Sequence, residues 1–262
     1  MPYSRRVFPT LNIIGVSVYL VQIPDVICCI SEWIDSKNKG EYIVVANAYD
    51  IIAGRKNIAT KKANNSSSLT VPDGFSLVLL ARLKGHKVKR RVYGPELMLE
   101  TLRLSEENGY SNFFYGSTDE TLGLLIKNLK ARFPDLKVAG YYAPPFRELS
   151  QEEDGAEVRM INDSGADIVW VGLGCPKQQL WMHEHKDKLK VPVMVGVGAA
   201  FDFFAGTKSQ APRWIRDNGF EWLFRLVTEP KRLWRRYLIS YPLFIYYLLL
   251  DLLSGKSNSC KT

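Results

Sequence analysis

Short apolar runs alternate with longer amphipathic stretches along most of the chain. The apolar runs predict buried strands at Leu11 to Val21, Tyr42 to Ala46, Ser68 to Val71, Asn112 to Tyr115, Val138 to Tyr142, Ile168 to Gly172 and Val193 to Val197. The stretches between them predict helices at Pro24 to Asp35, Ala48 to Lys56, Phe75 to Leu83, Pro95 to Glu107, Asp119 to Arg132, Gln151 to Asp163 and Gln178 to Leu189. Such alternation favours a parallel sheet, so we expect an α/β, Rossmann-like fold with a mostly parallel sheet flanked by helices.

The pattern changes near Ala205, after which no further strand is predicted and the sequence turns basic and aromatic in helical patterns. We therefore expect a core of residues 1–206 and a helical C-terminal appendage of residues 207–262. In open parallel sheets, ligands bind outside the carboxyl ends of the strands. The residues that directly follow the predicted strands are accordingly the first candidates for chemistry.

Composition excludes several classes of protein. With 262 residues, 46% hydrophobic and 24% charged, the chain can form a sizeable core, which excludes global disorder. The histidines and cysteines show no zinc-ligand spacing, so we expect reduced thiols and no metal site, with His183 and His185 on the surface. The N-terminal segment lacks a small-residue cleavage site, so secretion is not expected. The cysteines are Cys28, Cys29, Cys175 and Cys260.

The net charge of +8 is concentrated in two clusters, Lys84 to Arg91 and a C-terminal series between Arg213 and Arg236. Tryptophans interleave the second cluster and an apolar segment follows it, a pattern typical of proteins that bind anionic membrane surfaces. The apolar segment, residues 238–253, is shorter than the roughly 20 residues that a membrane-crossing helix needs. It predicts either a peripheral membrane helix or a helix packed in the core or in a homo-oligomer. No nucleic-acid recognition signature is present, so nucleic acid is not an expected partner.

Two predicted strands are followed directly by polar side chains. Asn47 comes after the strand that ends at Ala46, and Asp73 comes after the strand that ends at Val71. Asp73 precedes a predicted helix and could therefore be its N-cap. A carboxylate at this position could instead deprotonate a sugar hydroxyl during its attack on an activated anomeric carbon. The sequence leaves both alternatives open.

Two further strand ends are rich in glycine. The segment from Gly172 to Gln178 joins a strand to a helix, and glycines there allow the backbone to approach a phosphate. Gln178 could hydrogen-bond a sugar or a diphosphate. The segment from Gly196 through Gly198 to Asp202 ends the last predicted strand. Asp202 could bind hydroxyls or a base edge, or it could cap a helix or form a salt bridge with the basic appendage.

These motifs together resemble the WecG/TagA/CpsF family of bacterial glycosyltransferases. The resemblance rests on five segments: Ala-Asn-Ala at 46–48, Pro-Asp-Gly at 72–74, Gly-Leu-Gly-Cys-Pro-Lys-Gln-Gln at 172–179, Gly-Val-Gly-Ala-Ala-Phe-Asp at 196–202, and the long basic aromatic motif at 221–237. It implies metal-independent, inverting transfer of a hexosyl unit from a UDP-sugar to a polyprenyl-diphosphate-linked saccharide in surface polysaccharide or exopolysaccharide synthesis. It also implies a peripheral location on the cytoplasmic face of the inner membrane, with no cofactor beyond the UDP-sugar substrate.

The resemblance also implies roles for individual residues. Asp73 would be the catalytic base, Asn47 and Gln178 would line the pocket for sugar and diphosphate, and Asp202 with Gly196 and Gly198 would bind UDP. The family's arginines match Arg225, Arg232 and Arg235, which would close over the site and neutralise the diphosphate, so that the appendage is both an active-site lid and a membrane contact.

Two departures from the family limit what the resemblance implies. Val45 stands where teichoic-acid members have threonine, and the long apolar tail is similar to that of exopolysaccharide-assembly members, so the donor could be glucose, N-acetylmannosamine or its uronic acid. On one continuous helix, Arg225, Arg232 and Arg236 would share a face, and Arg235 would join it because it follows Arg232 by three residues. Two alternative functions remain. One is a non-catalytic membrane scaffold that binds a sugar nucleotide. The other is a Rossmann-like oxidoreductase, which the absence of a GxGxxG motif disfavours.

Overall fold

The structure is a computed structural model that describes residues 7–253, with the exception of the side chain of Leu252. The N-terminal arginines Arg5 and Arg6, Cys260 and the end of the predicted appendage lie outside the described residues.

A six-stranded parallel sheet forms the centre of the molecule and confirms the predicted fold class. Its strands are β3 (Glu41–Ala46), β4 (Leu69–Pro72), β5 (Ser111–Gly116), β6 (Lys137–Tyr142), β7 (Ile168–Gly172) and β8 (Val193–Gly196). They lie in the order β4-β3-β8-β7-β5-β6, and every neighbouring pair is parallel. Because all six strands run the same way, their carboxyl ends meet at one edge of the sheet.

Helices surround the sheet and continue into the C-terminal segment. They are α1 (Ile23–Asp35), α2 (Ala48–Lys56), α3 (Ile58–Asn65), α4 (Phe75–Leu83), α5 (Gly94–Asn108), α6 (Asp119–Arg132), α7 (Gln151–Asp163), α8 (Lys177–His185), α9 (Ala200–Ala205), α10 (Arg213–Asp217), α11 (Glu221–Thr228), α12 (Pro230–Leu238) and α13 (Ser240–Leu253).

Two hydrophobic clusters cover the two faces of the sheet. Ile43 and Val45 belong to the cluster beneath α1, α5, α6 and α9, whereas Tyr42 and Val44 belong to the cluster beneath α7 and α8. This division follows from the strand, in which successive side chains point to opposite faces. Strands buried on both faces are nearly continuous in their hydrophobicity, which is why the sequence pattern located them.

The first apolar run was predicted as one strand, and that prediction is wrong. It folds into an antiparallel hairpin of β1 (Thr10–Ile13) and β2 (Val16–Tyr19) outside the main sheet. Ile14 and Gly15 form its turn with φ of 53° and 82°, the positive values that a tight two-residue hairpin requires. The Asn12 side chain accepts a hydrogen bond from the Gly15 amide at 2.9 Å and steadies the turn.

Other local predictions also differ from the structure. The polar helix α3 was not predicted, because its sequence offers little apolar periodicity; Asn57 caps it by accepting a hydrogen bond from Thr60 N at 3.1 Å. His185 was expected on the surface but is 3% exposed, with Nε2 at 2.7 Å from Asp154 Oδ1 and Nδ1 at 2.8 Å from the Trp181 carbonyl. A partner from α7 thus makes this burial possible.

The basic aromatic segment does not form one helix. It breaks at Glu229, where Pro230 begins α12. The prediction of one continuous helix that carries all the arginines is therefore wrong, because Arg225 lies on α11 and Arg232, Arg235 and Arg236 lie on α12.

Helix α13 packs one side against the core, where Phe244 is buried beside α2, α4 and the hairpin. Burial of one such side chain contributes about 1.5–3 kcal/mol. Its other side exposes apolar residues, namely Ile245, Tyr246, Leu249, Leu250 and Leu253. In residues 7–253, no helix combines the length and the apolar character needed to cross a membrane.

Candidate active site

Four adjacent strands of the sheet bring the predicted site residues together. Asn47 follows β3, Asp73 follows β4, Gly174 follows β7 and Gly196 ends β8. These strands are neighbours in the order β4-β3-β8-β7, so their carboxyl ends form one continuous floor. The ends of β5 and β6, which were equally plausible from the sequence, lie farther along the sheet.

Helices α11 and α12 close this floor from above and leave two adjoining cavities. The first, which we call the polar cavity, has a volume of about 190 Å³ and lies over the glycine-rich ends of β7 and β8. The second, which we call the aromatic cavity, has a volume of about 200 Å³ and lies between α4 and the last three helices. The two cavities share five of their lining residues: Asn47, Asp73, Glu221, Arg225 and Arg236.

Asp73 stands in the wall between the two cavities. It is not the N-cap of α4, since Gly74 occupies that position. Its Oδ1 atom is buried without a hydrogen-bond partner and lies 3.8 Å from Arg91 Nη1. Burial raises the pKa of Asp73 to about 7; Glu221 and Asp50 add to the rise, whereas Arg91 and Arg225 oppose it. A carboxyl with such a pKa can accept a proton near neutral pH.

A second carboxylate, that of Glu221, shares Arg91 with Asp73. Glu221 lies at the start of α11 and is 8% exposed. Its carboxylate accepts hydrogen bonds from Arg91 Nη2 and, at 3.0 Å, from the Tyr93 hydroxyl. Gln210 Nε2 in turn donates to that hydroxyl at 3.0 Å. This chain of hydrogen bonds ties the beginning of the appendage to the core directly beside Asp73.

Asn47 lines both cavities and also begins α2. Its Oδ1 accepts a hydrogen bond from Tyr49 N at 2.9 Å, and its own backbone N–H donates to Asp50 Oδ2 at 2.9 Å. The cap therefore occupies the side-chain oxygen, and the amide nitrogen is the group that could donate to a ligand. Gln179 Nε2 donates to Asp50 at 2.6 Å, which fixes α8 against α2 beneath the cavity.

Gln178 and the predicted glycines fit tightly against one another. The side chain of Gln178 is 4% exposed, and its Oε1 accepts a hydrogen bond from Gly174 N at 3.1 Å. A Cβ atom at Gly196 would lie 3.1 Å from Gln178 Nε2 and 2.8 Å from Met182 Cε, and Gly198 has a φ of 51°. Glycine is thus required for backbone geometry and for close packing under the polar cavity.

Asp202 lines the polar cavity and pairs with Lys208. Lys208 also approaches Glu229 Oε2 at 3.7 Å, and Glu229 holds the guanidinium of Arg232 at 2.6 Å. Of the alternatives that the sequence left open for Asp202, the salt bridge with the basic appendage is present in the structure. This network sets both Asp202 and Arg232 at the rim of the cavity.

The predicted arginines occupy different places. Arg225, Arg232 and Arg236 line the polar cavity. Arg235 lines only an adjoining groove, and its guanidinium lies 5.2 Å from the centroid of the Trp234 ring. Arg225 Nε is buried without a hydrogen-bond partner, so part of this guanidinium is available to an anion. The structure therefore favours Arg236, the residue after the one that the family motif suggested.

Several lining residues had no predicted role in the site, among them Asp50, Arg91, Tyr93 and Glu221. Arg91 was noticed only as part of a basic cluster, and Glu221 only as the first residue of a long motif. No local spacing of residues predicts an arginine that bridges two carboxylates. Asp73, Arg91 and Glu221 come from three separate segments of the chain.

Two other chemistries find little support among the described residues. No group of three or more His, Cys, Asp or Glu side chains within residues 7–253 could hold a metal ion. Cys175 lies in the polar cavity as a free thiol, and burial raises its pKa well above the usual value, which disfavours a thiolate nucleophile.

Comparison with known proteins finds relatives that share one enzyme name. One is 31% identical over 216 residues, covering 81% of this chain and 80% of the relative, and comes from Bacillus spizizenii. A second, from Bacillus subtilis strain 168, is 27% identical and covers 71% of this chain and 70% of its own length. A third, from Staphylococcus aureus strain NCTC 8325, is 31% identical with 78% of each chain covered. All three are named N-acetylglucosaminyldiphosphoundecaprenol N-acetyl-beta-D-mannosaminyltransferase.

A family model confirms the resemblance inferred from the motifs. It is described as the glycosyl transferase WecG/TagA/CpsF family, and it matches residues 11–258, which include all the cavity-lining segments. The oxidoreductase and scaffold alternatives are thereby set aside. The chain belongs to the WecG/TagA/CpsF family and is a glycosyltransferase.

Proposed function

We propose that this protein transfers a hexosyl unit from a UDP-sugar to a polyprenyl-diphosphate-linked saccharide with inversion at the anomeric carbon. The observation that carries the proposal is the position of Asp73 between two cavities, one of them polar, rich in glycine and lined by three arginines. A base between donor and acceptor is what direct displacement at a sugar carbon needs.

The proposed reaction is a single displacement. The acceptor hydroxyl oxygen forms a bond to the anomeric carbon of the donor while Asp73 takes the hydroxyl proton, and the bond from that carbon to the diphosphate oxygen breaks. UDP leaves with one additional negative charge. Attack from the side opposite the leaving group inverts the anomeric configuration. Since the pKa of Asp73 is about 7, a substantial fraction of the enzyme holds the ionised base at neutral pH.

The polar cavity suits the leaving diphosphate. Arg225, Arg232 and Arg236 line it, and the first of these carries a buried Nε without a partner. Guanidinium groups fixed in a partly closed cavity stabilise charge that develops as the bond to phosphate breaks. We propose that they take the place of a divalent cation, so that transfer proceeds without added metal. Gln178 and the glycine ends of β7 and β8 would hold the sugar and diphosphate.

The names of the relatives guide the choice of substrates. They specify transfer of N-acetylmannosamine, through a β-linkage, to a lipid-linked N-acetylglucosamine diphosphate. We propose the same class of acceptor here and place UDP-N-acetylmannosamine first among donors, with UDP-glucose and the uronic acid of N-acetylmannosamine as the other members to be tested. Val45 lines the polar cavity and offers no hydroxyl to the donor.

A lipid-linked acceptor requires access to a membrane. Exposed apolar side chains on α13 and exposed Trp214 and Trp234 accompany the basic residues of the appendage. We propose that this surface lies on an anionic leaflet as a peripheral contact on the cytoplasmic side. Within residues 7–253, this membrane contact involves no helix that is long and apolar enough to cross the bilayer.

The test measures donor binding and transfer separately. Isothermal titration with UDP and the three UDP-sugars, in buffer with EDTA and then with Mg²⁺, is expected to show binding that EDTA does not weaken. Transfer to a short-chain prenyl-diphosphate N-acetylglucosamine should then occur with the donor that binds best and give the inverted product. Retention of configuration, or transfer that depends on the added metal, would contradict the proposal.

A further inference from the structure

The aromatic cavity differs chemically from the polar cavity. Its outer wall is formed by Phe75 and Leu79 of α4, which are 37% and 44% exposed, so it opens toward apolar surface. No glycine-rich strand end of β7 or β8 is among its lining residues. It therefore lacks the glycine-rich backbone of the polar cavity, and its apolar opening suits an amphipathic molecule.

Three aromatic side chains from three helices form the opposite wall. Trp222 of α11, Tyr237 of α12 and Tyr241 of α13 all line the cavity. Their ring centroids lie 6.1 Å apart for Trp222 and each tyrosine, and 5.5 Å apart for the two tyrosines. Such packing keeps Trp222, which is only partly buried, in a fixed orientation. A fixed, partly exposed indole offers a flat apolar surface to a sugar ring.

Two polar atoms that line the inner end of the aromatic cavity have no hydrogen-bond partner within residues 7–253. Ser76 Oγ and Asp73 Oδ1 are both buried without a hydrogen-bond partner among the described residues. Buried polar atoms without partners are uncommon in folded proteins and cost free energy unless a ligand or water satisfies them. Ser76 lies in the first turn of α4, three residues after Asp73, and its hydroxyl can both donate and accept.

The position of Asp73 between the two cavities indicates which substrate the aromatic cavity binds. If the donor occupies the polar cavity, the attacking hydroxyl must approach its anomeric carbon from the other side of Asp73. The aromatic cavity is the neighbouring space that Asp73 also lines. Its polar floor suits sugar hydroxyls, and its apolar mouth at Phe75 and Leu79 suits the beginning of a lipid chain.

We infer that the aromatic cavity is the acceptor subsite, in which the acceptor's pyranose ring stacks on Trp222 and hydrogen-bonds Ser76 while its attacking hydroxyl faces Asp73. Arg91, which also lines this cavity, supplies a positive charge for the lipid-linked diphosphate. The inference rests on the proposed function, because it presupposes a sugar acceptor. It assigns Trp222 and Ser76 as specificity-determining residues.

The experiment compares Trp222→Leu and Ser76→Ala with Phe146→Leu, which removes an aromatic ring that is 80% exposed and lines neither cavity. With a short-chain prenyl-diphosphate N-acetylglucosamine, Trp222→Leu should raise the acceptor KM at least tenfold and Ser76→Ala about three- to tenfold. The donor KM should stay within twofold for both, and Phe146→Leu should match the unmodified protein. A rise in donor KM, or an unchanged acceptor KM in both variants, would overturn the assignment.

Binding without turnover separates this inference from the proposed function. Titration of the acceptor analogue into Asp73→Asn protein, saturated with UDP, should show binding that Trp222→Leu or Ser76→Ala weakens by the same factors. If the unmodified protein transfers no sugar but this pattern of binding holds, the subsite stands and the proposed reaction fails. If transfer occurs but the substitutions leave analogue binding unchanged, the subsite fails alone. Ser76→Ala removes one oxygen atom and serves if Trp222→Leu does not fold.

Discussion

The two sides of the active site are built in different ways. The floor consists of strand ends and glycines, whose positions are fixed by the hydrogen bonds of a parallel sheet. The cover consists of short helices, whose arginine and aromatic side chains reach into the cavities. The floor thus presents backbone and small residues, whereas the cover supplies charge and large apolar surfaces.

This difference explains how firmly each part is held. Every strand of the floor is buried on both faces. Helix α10 has no buried residue and α11 only Glu221, so their attachment to the core depends on a few contacts. The Glu221 contacts with Arg91 and Tyr93 stand out among them, because all three groups are buried or nearly so. The floor therefore has the fixed geometry of the sheet, whereas the cover supplies charge from helices that few buried residues hold in place.

The largest expected effect is on the residue between the two parts. Asp73→Asn should lower kcat by about two orders of magnitude or more, because the amide cannot accept the acceptor proton. UDP affinity, measured by titration, should stay close to that of the unmodified protein. The matched control is Asp217→Asn, which removes an exposed carboxylate that pairs with Arg90 and Arg213. Near-normal turnover by Asp73→Asn would show that another group is the base.

The cover can be tested with neighbouring arginines. Arg236→Ala should lower kcat/KM about 30-fold, as expected for the loss of about 2 kcal/mol of charge stabilisation in a partly closed site. Arg235→Ala should lower it less than threefold, since Arg235 lies outside both cavities. Steady-state kinetics with the best donor compares the two. A larger loss for Arg235→Ala would favour the role that the family motif assigned to it.

The floor can be tested with one methyl group. Gly196→Ala places a Cβ atom 2.8 Å from Met182 Cε and 3.1 Å from Gln178 Nε2, so Gln178 must shift. We expect the donor KM to rise about tenfold, with little change in the acceptor KM. Gly123→Ala is the control, because a Cβ atom at this exposed position of α6 meets nothing within 4 Å. Equal donor KM values for the two variants would show that the floor tolerates movement.

The smallest effect concerns pH and links the two parts. Because burial raises the pKa of Asp73 to about 7 and the base acts in its ionised form, kcat should rise with pH through about 7. Glu221 raises that pKa, so Glu221→Gln should move the midpoint of the pH profile to lower pH. A midpoint that stays or moves upward would show that Glu221 does not act on Asp73.

The groups that face Asp73 come from several elements, and all of them enter this pH profile. They are Asp50 of α2, Arg91 and Tyr93 before α5, Glu221 and Arg225 of α11, Tyr237 of α12 and Tyr241 of α13. Glu96→Gln, in the first turn of α5 and outside both cavities, is the control for the removal of a carboxylate charge.

The same shift predicts an effect on stability. The pKa of Asp73 is raised from 3.8 to about 7 in the folded protein, so folding holds its proton more tightly than the unfolded chain does. Ionisation therefore destabilises the fold increasingly as the pH rises from about 4 through about 7. Asp73→Asn should accordingly unfold at a higher temperature than the unmodified protein at pH 8, but not at pH 4. Thermal unfolding at the two pH values checks this and also shows that the inactive variant is folded.

The sequence alone located the six strands of the sheet, most of the helices between them and the strand ends that form the floor of the site. Strands buried on both faces leave continuous apolar runs, and the residues after them fall at one edge because parallel strands share a direction. Asn47, Asp73, Gln178 and Gly196 could be placed for this reason. The hairpin could not be predicted in this way. The apolar pattern from Leu11 to Val21 continues across Ile14 and Gly15, and the turn there is evident only from their backbone angles.

Only the tertiary structure decided how the cover meets the floor. Periodicity on an assumed continuous helix gave Arg225, Arg232 and Arg236 one face, but the break at Pro230 set the two helices at positions that no local pattern encodes. The same holds for Arg91, which lies between Asp73 and Glu221 although 130 residues separate Arg91 from Glu221 along the chain. Local patterns record which face of a helix or strand is apolar. Contacts between distant segments depend on how those faces pack, and that packing decides where the charges of this active site meet.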